Sequence, residues 1–275
     1  MPELPEVEAL RRSCDEELRG AVISRAHEAH VATLKTAEPA LKELEGRRFG
    51  LVSRRGKHLL FHTDDDALVL HIHQMTAGRI AVSDPMAKRP KTTALRLDFE
   101  DERSLVMTER GSCKQARVGL YRPAVIEAEL SHLGPEADTV DADRLEGLLR
   151  AEGRRLHALL RDQRVLAGIG RAWANEILHR ARLSPYALST DLPRTDIERL
   201  ALTIRETLAE GLALREAGAA DSKTYRIHGR LAEPCQDCAA PIARVDFERH
   251  TIFYCPPCQT GGRVLADRRL SRLLR

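Results

Sequence analysis

The apolar residues of this 275-residue chain change their spacing once, near residue 122, and that change limits the fold more than any other feature. Up to Tyr121 they form short alternating or continuous runs, VISRAHEA, FGLVSRRGKHLLFHT, ALVLHIH, GRIAVS, TALRLDFE, SLVMT and ARVGLY, parted by Gly, Asp and Pro. Runs of that length and period predict an antiparallel β-sandwich. One helix precedes them, Pro5 to Leu18, with Val7, Leu10, Cys14 and Leu18 on one face. From Pro123 the period is helical, through VIEAELSHL, DRLEGLLRAE, LHALLRDQ, AWANEILHRAR and TDIERLALTIRETLAEGL. The last of these sets Ile197, Leu200, Ile204, Leu208 and Leu212 in one stripe. Strands gathered first and helices after them define an α+β multidomain protein and exclude the alternating pattern of a parallel sheet.

The expected domains are a β-sandwich over residues 1–122, a helical domain with its linker over 123–230, and a cysteine module over 231–275. The segment GAADSKTYRIHGRLAEP reads as an exposed linker ending in a strand, and a short basic helix, Arg263 to Leu274, closes the chain. No stretch approaches the roughly 18 apolar residues of a membrane span. The start, MPELPEVEALRRSCDEEL, has no apolar core and is neither a signal nor a transit peptide, so a cytoplasmic location is expected. Net charge is only +3, too little to argue for nucleic acid by itself. Its distribution says more, because basic residues cluster in Arg47 to His58, in Glu109 to Arg117 and at the C-terminus.

Three local patterns carry chemistry. Cys235-x2-Cys238 and Cys255-x2-Cys258 stand sixteen residues apart with strand-forming residues between them, whereas Cys14 and Cys113 stand alone. Paired knuckles in a cytosolic chain read as four thiolates on one tetrahedral zinc. Four sulfurs leave no open coordination position, so the zinc is structural, and no organic cofactor is called for. The hairpin between the knuckles would present Arg244, Arg249 and His250. Second, Gly168-Ile169-Gly170 opens onto a helix starting at Arg171, and a helix N-terminus suits a phosphate, although such turns more often merely join helices. Third, removal of Met1 from MPELPEVE would leave Pro2 with a free secondary amine. Such an amine attacks an aldehyde carbon to give a cationic imine, and with a pKa of about 8 it is partly unprotonated near neutrality. Glu3 could serve as general acid or base, and Glu6 could hold the amine or open the helix. Taken alone, the octet reads more readily as a helix start rich in proline and acid.

In this order, MPELPEVE, DQRVLAGIGRAWANEILHRARLSP and CQDC…YCPPC, the chain resembles the formamidopyrimidine-DNA glycosylase and endonuclease VIII family over nearly its whole length. The resemblance implies an N-terminal β-sandwich, a helix-two-turn-helix domain and a C-terminal zinc-finger hairpin. It implies a bifunctional base-excision repair glycosylase and abasic-site lyase, a monomer acting on damaged double-stranded DNA at the bacterial nucleoid. Pro2 matches the nucleophile that attacks C1′ and forms the Schiff base from which β- and δ-elimination follow. Glu3 matches the acid for the sugar ring oxygen, Glu6 a second, positioning acid, and Lys57 the hairpin lysine that contacts phosphate near the lesion.

The sequence departs from the family pattern at several of the remaining positions. Arg171, after Gly170, replaces an asparagine that contacts phosphate. In the zinc hairpin the arginine position falls on His250, with Arg249 one place earlier, and a shift of one residue reverses facing. Ungapped counting puts Gln74 where the residue that fills the vacated stack should lie, while Met75 needs a one-residue shift. The loop carrying the family's arginine probe and phenylalanine wedge is replaced by TERGSCKQARVG, leaving Arg110, Lys114 and Arg117 without the aromatic. Together with a short-looking segment from Leu214 to Arg230, whose readers would be Ser222, Lys223, Thr224 and Tyr225, this favours poorly stacked lesions over 8-oxoguanine paired with cytosine. Two other readings stand beside this one: a catalytically silent damaged-DNA-binding protein of the same fold, and a glycosylase for an unusual adduct or crosslink.

Overall fold

The computed structural model describes residues 2–27, 29–83, 91–111, 114–219, 225–247 and 250–266. It divides into two compact units, Met1–His132 and Leu133–Arg275.

The first unit opens with helix α1 (Leu4–Leu18), started by Pro5 in its first turn and burying Val7, Cys14 and Leu18. Eight strands follow: β1 (Ile23–Ala26), β2 (Phe49–Arg55), β3 (His58–Thr63), β4 (Val69–His73), β5 (Gly78–Ser83), β6 (Thr93–Phe99), β7 (Ser104–Glu109) and β8 (Arg117–Tyr121). They form two four-stranded sheets, β1-β6-β7-β5 and β2-β3-β4-β8, with antiparallel pairing throughout. The period-2 alternation turns Val52, Leu59, Phe61, Leu70, Ile72, Leu95, Leu97, Met107 and Val118 into one core. Phe49 lies at its centre, its ring centroid 5.5 Å from Phe61 and 5.9 Å from Phe99. Helix α2 (Pro123–Leu130) packs on β4 and belongs to this unit.

The second unit contains α3 (Ala142–Ala151), α4 (Leu156–Leu160), α5 (Arg171–Arg180) and α6 (Arg194–Glu216), then the hairpin β9 (Ala243–Phe247) and β10 (His250–Tyr254) and the short α7 (Pro256–Thr260). α5 and α6 pack on each other, α6 also packs on α3, and β10 lies against α5. α5 is buried nearly all round, from Ala172 through His179 and including the polar Asn175, Glu176 and His179, which makes it the central helix of the unit.

Three expectations need correction. The helix read in LHALLRDQ stops at Leu160, because Asp162 turns the chain, its carboxylate accepting the Arg164 N–H and its carbonyl those of Val165 and Leu166. The segment before the cysteines is not an exposed linker ending in a strand: Ile227 is fully buried, and residues 226–233 are turns. Residues 263–266 are not helical, and the rest of the basic helix expected from Arg263 lies outside the described residues. Among the described residues, no helix is long and apolar enough to cross a membrane.

Candidate active site

In the first unit, Pro2 and Glu3 sit immediately before α1. Glu3 is the residue capping the helix and is only 4% exposed. Its N–H donates to Glu6 Oε2 at 2.9 Å, so Glu6 opens the helix, where an acid also meets the positive end of the dipole. One turn on, Glu8 accepts from Arg11, Arg12 and Arg54. Burial pushes its carboxyl up, but the three guanidinium partners outweigh this and hold it below the usual carboxylate range. Arg54, its side chain 8% exposed, donates to Glu8 Oε2 at 3.1 Å and to the Gly56 carbonyl at 2.9 Å. That clasp fastens the start of α1 to the β2–β3 turn. The turn has two residues, Gly56 and Lys57, since Arg55 pairs with His58, and Gly56 takes the left-handed φ of +55° that such a tight hairpin demands. Lys57 is 6% exposed, which is rare for lysine.

Beside Lys57 stand three histidines. His58 Nδ1 lies 2.8 Å from His71 Nε2 with the rings stacked at 5.0 Å, and the His73 ring meets His58 edge-on at 4.4 Å. Burial, then their mutual repulsion and the nearby cations Lys57 and Arg117, drive these imidazoles down to about 2 for His58, about 3 for His71 and about 4 for His73. Each shift favours the neutral imidazole near neutrality. The β4–β5 turn follows, with Gln74 buried and Met75 half-buried at φ +50°. Glu109, fully buried, accepts the N–H groups of Gln115 at 2.7 Å and Ala116 at 3.0 Å, and Lys114 Nζ donates to its carbonyl, so one residue closes the basic loop from Arg110 to Arg117. Arg110 and Arg117 are exposed at its two ends. The structure thus groups Lys57 and Arg117 around His73; Cys113 lies outside the described residues.

In the second unit, the turn Gly168-Ile169-Gly170 is pinned by Gln163, whose Oε1 accepts the Gly168 N–H at 3.0 Å and whose Nε2 donates to the Ile169 carbonyl at 2.8 Å. Gly168 has φ +105° and Gly170 caps α5, so that Arg171 is exposed on the first turn. Further along α5, buried Glu176 accepts the backbone N–H groups of Arg226, Ile227 and His228 at 2.8, 3.1 and 2.8 Å. Burial pushes this carboxyl up against those bonds. Tyr225, meant as a reader of the lesion, packs edge-on to Trp173 and His228, while Ser222, Lys223 and Thr224 lie outside the described residues.

The cysteines converge. Cys238 Sγ is 3.4 Å from Cys255 Sγ, Cys235 Sγ is 4.0 Å from Cys258 Sγ, and none is in a disulfide. A tetrahedron of sulfurs each about 2.3 Å from zinc has edges of about 3.8 Å, so these spacings fit the metal. His179, fully buried on α5, adds its Nε2 at 3.3 Å from Cys235 Sγ, and its ligand atom clusters with Cys235, Cys255 and Cys258 within 4.8 Å. The sequence reading missed this histidine. His250 begins β10, half-buried, close enough to the buried His157 to help depress it to about 3, after burial itself and Arg161. Arg249 lies outside the described residues.

Residues 1–111 match the formamidopyrimidine-DNA glycosylase N-terminal domain and residues 133–223 the formamidopyrimidine-DNA glycosylase H2TH domain. The chain is 34% identical to a formamidopyrimidine-DNA glycosylase of Thermus thermophilus, over 95% of this chain and all of that one. A Mycobacterium tuberculosis formamidopyrimidine-DNA glycosylase-like protein is 38% identical, over 52% of this chain and 94% of its own length. Among solved structures, the Lactococcus lactis Fpg in complex with abasic-site DNA superposes with a TM-score of 0.86 at 25% identity, covering 94% of this chain and 99% of that one. The chain belongs to the formamidopyrimidine-DNA glycosylase family and is a base-excision repair DNA glycosylase.

Proposed function

We propose that the protein is a bifunctional glycosylase and abasic-site lyase whose nucleophile is the Pro2 amine. The observation that carries this is the clasp Glu8–Arg54–Gly56, which ties the helix start bearing Pro2, Glu3 and Glu6 to the turn bearing Lys57. Pro2 nitrogen attacks C1′, the glycosidic C–N bond breaks and the base departs with a proton. Glu3 protonates the ring oxygen as the sugar opens, leaving a cationic imine between Pro2 and C1′. Loss of the C2′ proton then breaks the C3′–O bond, and a second elimination breaks the C5′–O bond.

The supporting parts are read in the same way. Glu6 fixes the backbone behind the nucleophile and Lys57 holds a phosphate near the lesion. Met75 enters the space the lesion leaves, because Gln74 is buried and its amide donates to the Gly78 carbonyl at 3.4 Å. Arg110, Lys114 and Arg117 face the orphaned base. Gly170 and Arg171, at the start of α5, take a phosphate, as do Arg249 or His250 on the finger. Cys235, Cys238, Cys255 and Cys258 would hold one structural zinc, which supplies folding of the finger and no step of the reaction. The partner is damaged double-stranded DNA, as in the relatives solved with abasic-site and Fapy-dG DNA. With bacterial relatives, the protein is read as a monomer of the cytoplasm working on the nucleoid.

Borohydride trapping on abasic-site DNA is the test. The wild-type protein forms a covalent complex and Pro2→Gly does not; undiminished trapping by that variant overturns the assignment, and absence of trapping by both favours a silent binder. Preference for poorly stacked lesions is checked by single-turnover excision on matched duplexes, where fastest cleavage of 8-oxoguanine opposite cytosine would contradict it.

A further inference from the structure

We propose that His73 is a positioning residue for base extrusion, setting the left-handed turn from which Met75 enters the DNA while the rings of His58 and His71 brace it. This rests on the reading of Met75 as the residue that fills the vacated stack. Met75 has φ +50°, a conformation that a residue with a Cβ keeps only where its surroundings hold it. The holder is His73, whose Nδ1 accepts the Met75 N–H at 3.1 Å. That bond requires the lone pair on Nδ1, hence a neutral ring with its proton on Nε2. Burial, with Lys57 and Arg117 beside it, keeps the ring in that state.

The orientation of His73 is fixed in turn by the other rings. His58 abuts it at 4.4 Å, His71 hydrogen-bonds and stacks with His58, and Tyr121 closes the row 5.9 Å from His71. Those rings come from β3, β4 and β8, three adjacent strands of one sheet. His58 directly follows Lys57 in the chain. The turn that holds phosphate and the turn that enters the stack therefore share one rigid support, and Met75 and Lys57 keep a fixed offset when DNA binds. The bond from Nδ1 to the N–H two residues on is one that an asparagine side chain also makes.

The experiment uses zinc-loaded full-length protein and the variants His73→Leu, His73→Asn and Met75→Ala. Two readouts are taken: fluorescence of 2-aminopurine beside a stable abasic analogue, which reports insertion, and single-turnover rates of base excision and of strand cleavage at a preformed abasic site. A displaced turn misplaces the inserted side chain, so His73→Leu should slow insertion and base excision by about 10-fold or more, with cleavage of the preformed site within about 3-fold of wild type. His73→Asn should restore insertion and excision. Equal loss in the Leu and Asn variants, or wild-type insertion by His73→Leu alongside slow insertion by Met75→Ala, overturns the proposal. Wild-type insertion by Met75→Ala instead overturns the reading of Met75 on which it rests.

Discussion

The two units assemble their functional residues in opposite ways. In the first, the residues that would do chemistry come from four separate stretches, Pro2 to Glu6, Arg54 to His58, His71 to Met75 and Glu109 to Arg117, joined by strand register, the Glu8–Arg54 ion pair and a row of neutral rings. In the second, the candidate metal ligands lie between Cys235 and Cys258, and among the described residues only His179 comes from elsewhere. A short-range site can be read from spacing, whereas a long-range one depends on which strands pair. The same difference separates their expected failures: damage to the first unit should stop chemistry, and damage to the finger should weaken binding.

The largest effect should come from Glu3→Gln. If Glu3 moves a proton in base release, excision falls by about 10²- to 10⁴-fold, the range of general acid–base catalysis, while DNA affinity and zinc content stay near wild type. Single-turnover excision and a binding titration on the same duplex measure this. Loss of affinity without loss of rate would place Glu3 with the binding residues and break the contrast.

Acid should separate the units next. His58, His71 and His73 titrate near 2, 3 and 4 in the folded protein, all below the value of about 6.5 for an unfolded histidine. Below about pH 6.5 the unfolded chain binds protons that the folded one refuses, so stability is full above that pH and declines as pH falls toward the folded values. The ceiling is about 1.4 kcal/mol per pH unit for each histidine. Among the described residues the first unit has a fourth lowered histidine, His62, and the second unit has three, His157 at about 3, His228 at about 4 and His179, each depressed first by burial. Calorimetry between pH 7.5 and 5.5 should therefore show the first unit losing stability more steeply, and His58→Phe should flatten its slope. Parallel slopes for the two units would show that the three rings do not stay neutral on folding.

The same contrast explains what the sequence revealed. Alternation in LVLHIH and TALRLDF located strands, and the stripe from Ile197 to Leu212 located α6, because a sheet or helix buries one face at a fixed period. The knuckle spacing located the cysteines because a metal gathers near neighbours. Hidden were Arg54, which reads as one basic residue in a basic run until Glu8 is seen across from it, and Glu176, whose three backbone partners lie some fifty positions on. Ile227 looked exposed for the same reason, since its polar surroundings in sequence are bound by that carboxylate. The alternation of His71 and His73, both on the face of β4 toward His58, was the one visible trace of the ring row.

Removing the finger's metal should have a smaller consequence than losing Glu3. Charge-assisted hydrogen bonds to phosphate contribute about 1.5–3 kcal/mol each, so losing one through an unfolded finger weakens DNA binding by about 10- to 100-fold. The melting transition of the first unit should not move. Gel-shift titration and calorimetry of Cys258→Ser measure both, and a lowered first-unit transition would mean that the two sites are not separable.

The smallest effect sharpens the contrast at its one exception, His179. Its Nε2 lies 3.3 Å from Cys235 Sγ and 3.9 Å from Asp237 Oδ2, inside a fully buried environment on α5. Burial pushes this imidazole down, with Arg226 and Arg182 adding to that and Asp237 opposing it. A ring in that place has two options: its Nε2 lone pair replaces one sulfur as ligand, or its Nε2–H donates to the Cys235 thiolate and steadies it. If Cys238, whose Sγ lies 3.4 Å from Cys255 Sγ, is the fourth ligand, the four-sulfur set is complete and the ring takes the donor role. An outer hydrogen bond of this kind is worth about 10-fold or somewhat more in metal affinity. His179→Phe should then keep one zinc per chain while releasing it about 10-fold more readily to a competing chelator, and Cys238→Ser should release it far more readily still. If the order is reversed, with zinc retained in Cys238→Ser and lost in His179→Phe, the ligand set is three cysteines and this histidine. The finger would then be anchored through the metal to the central helix of its own unit, a long-range site after all.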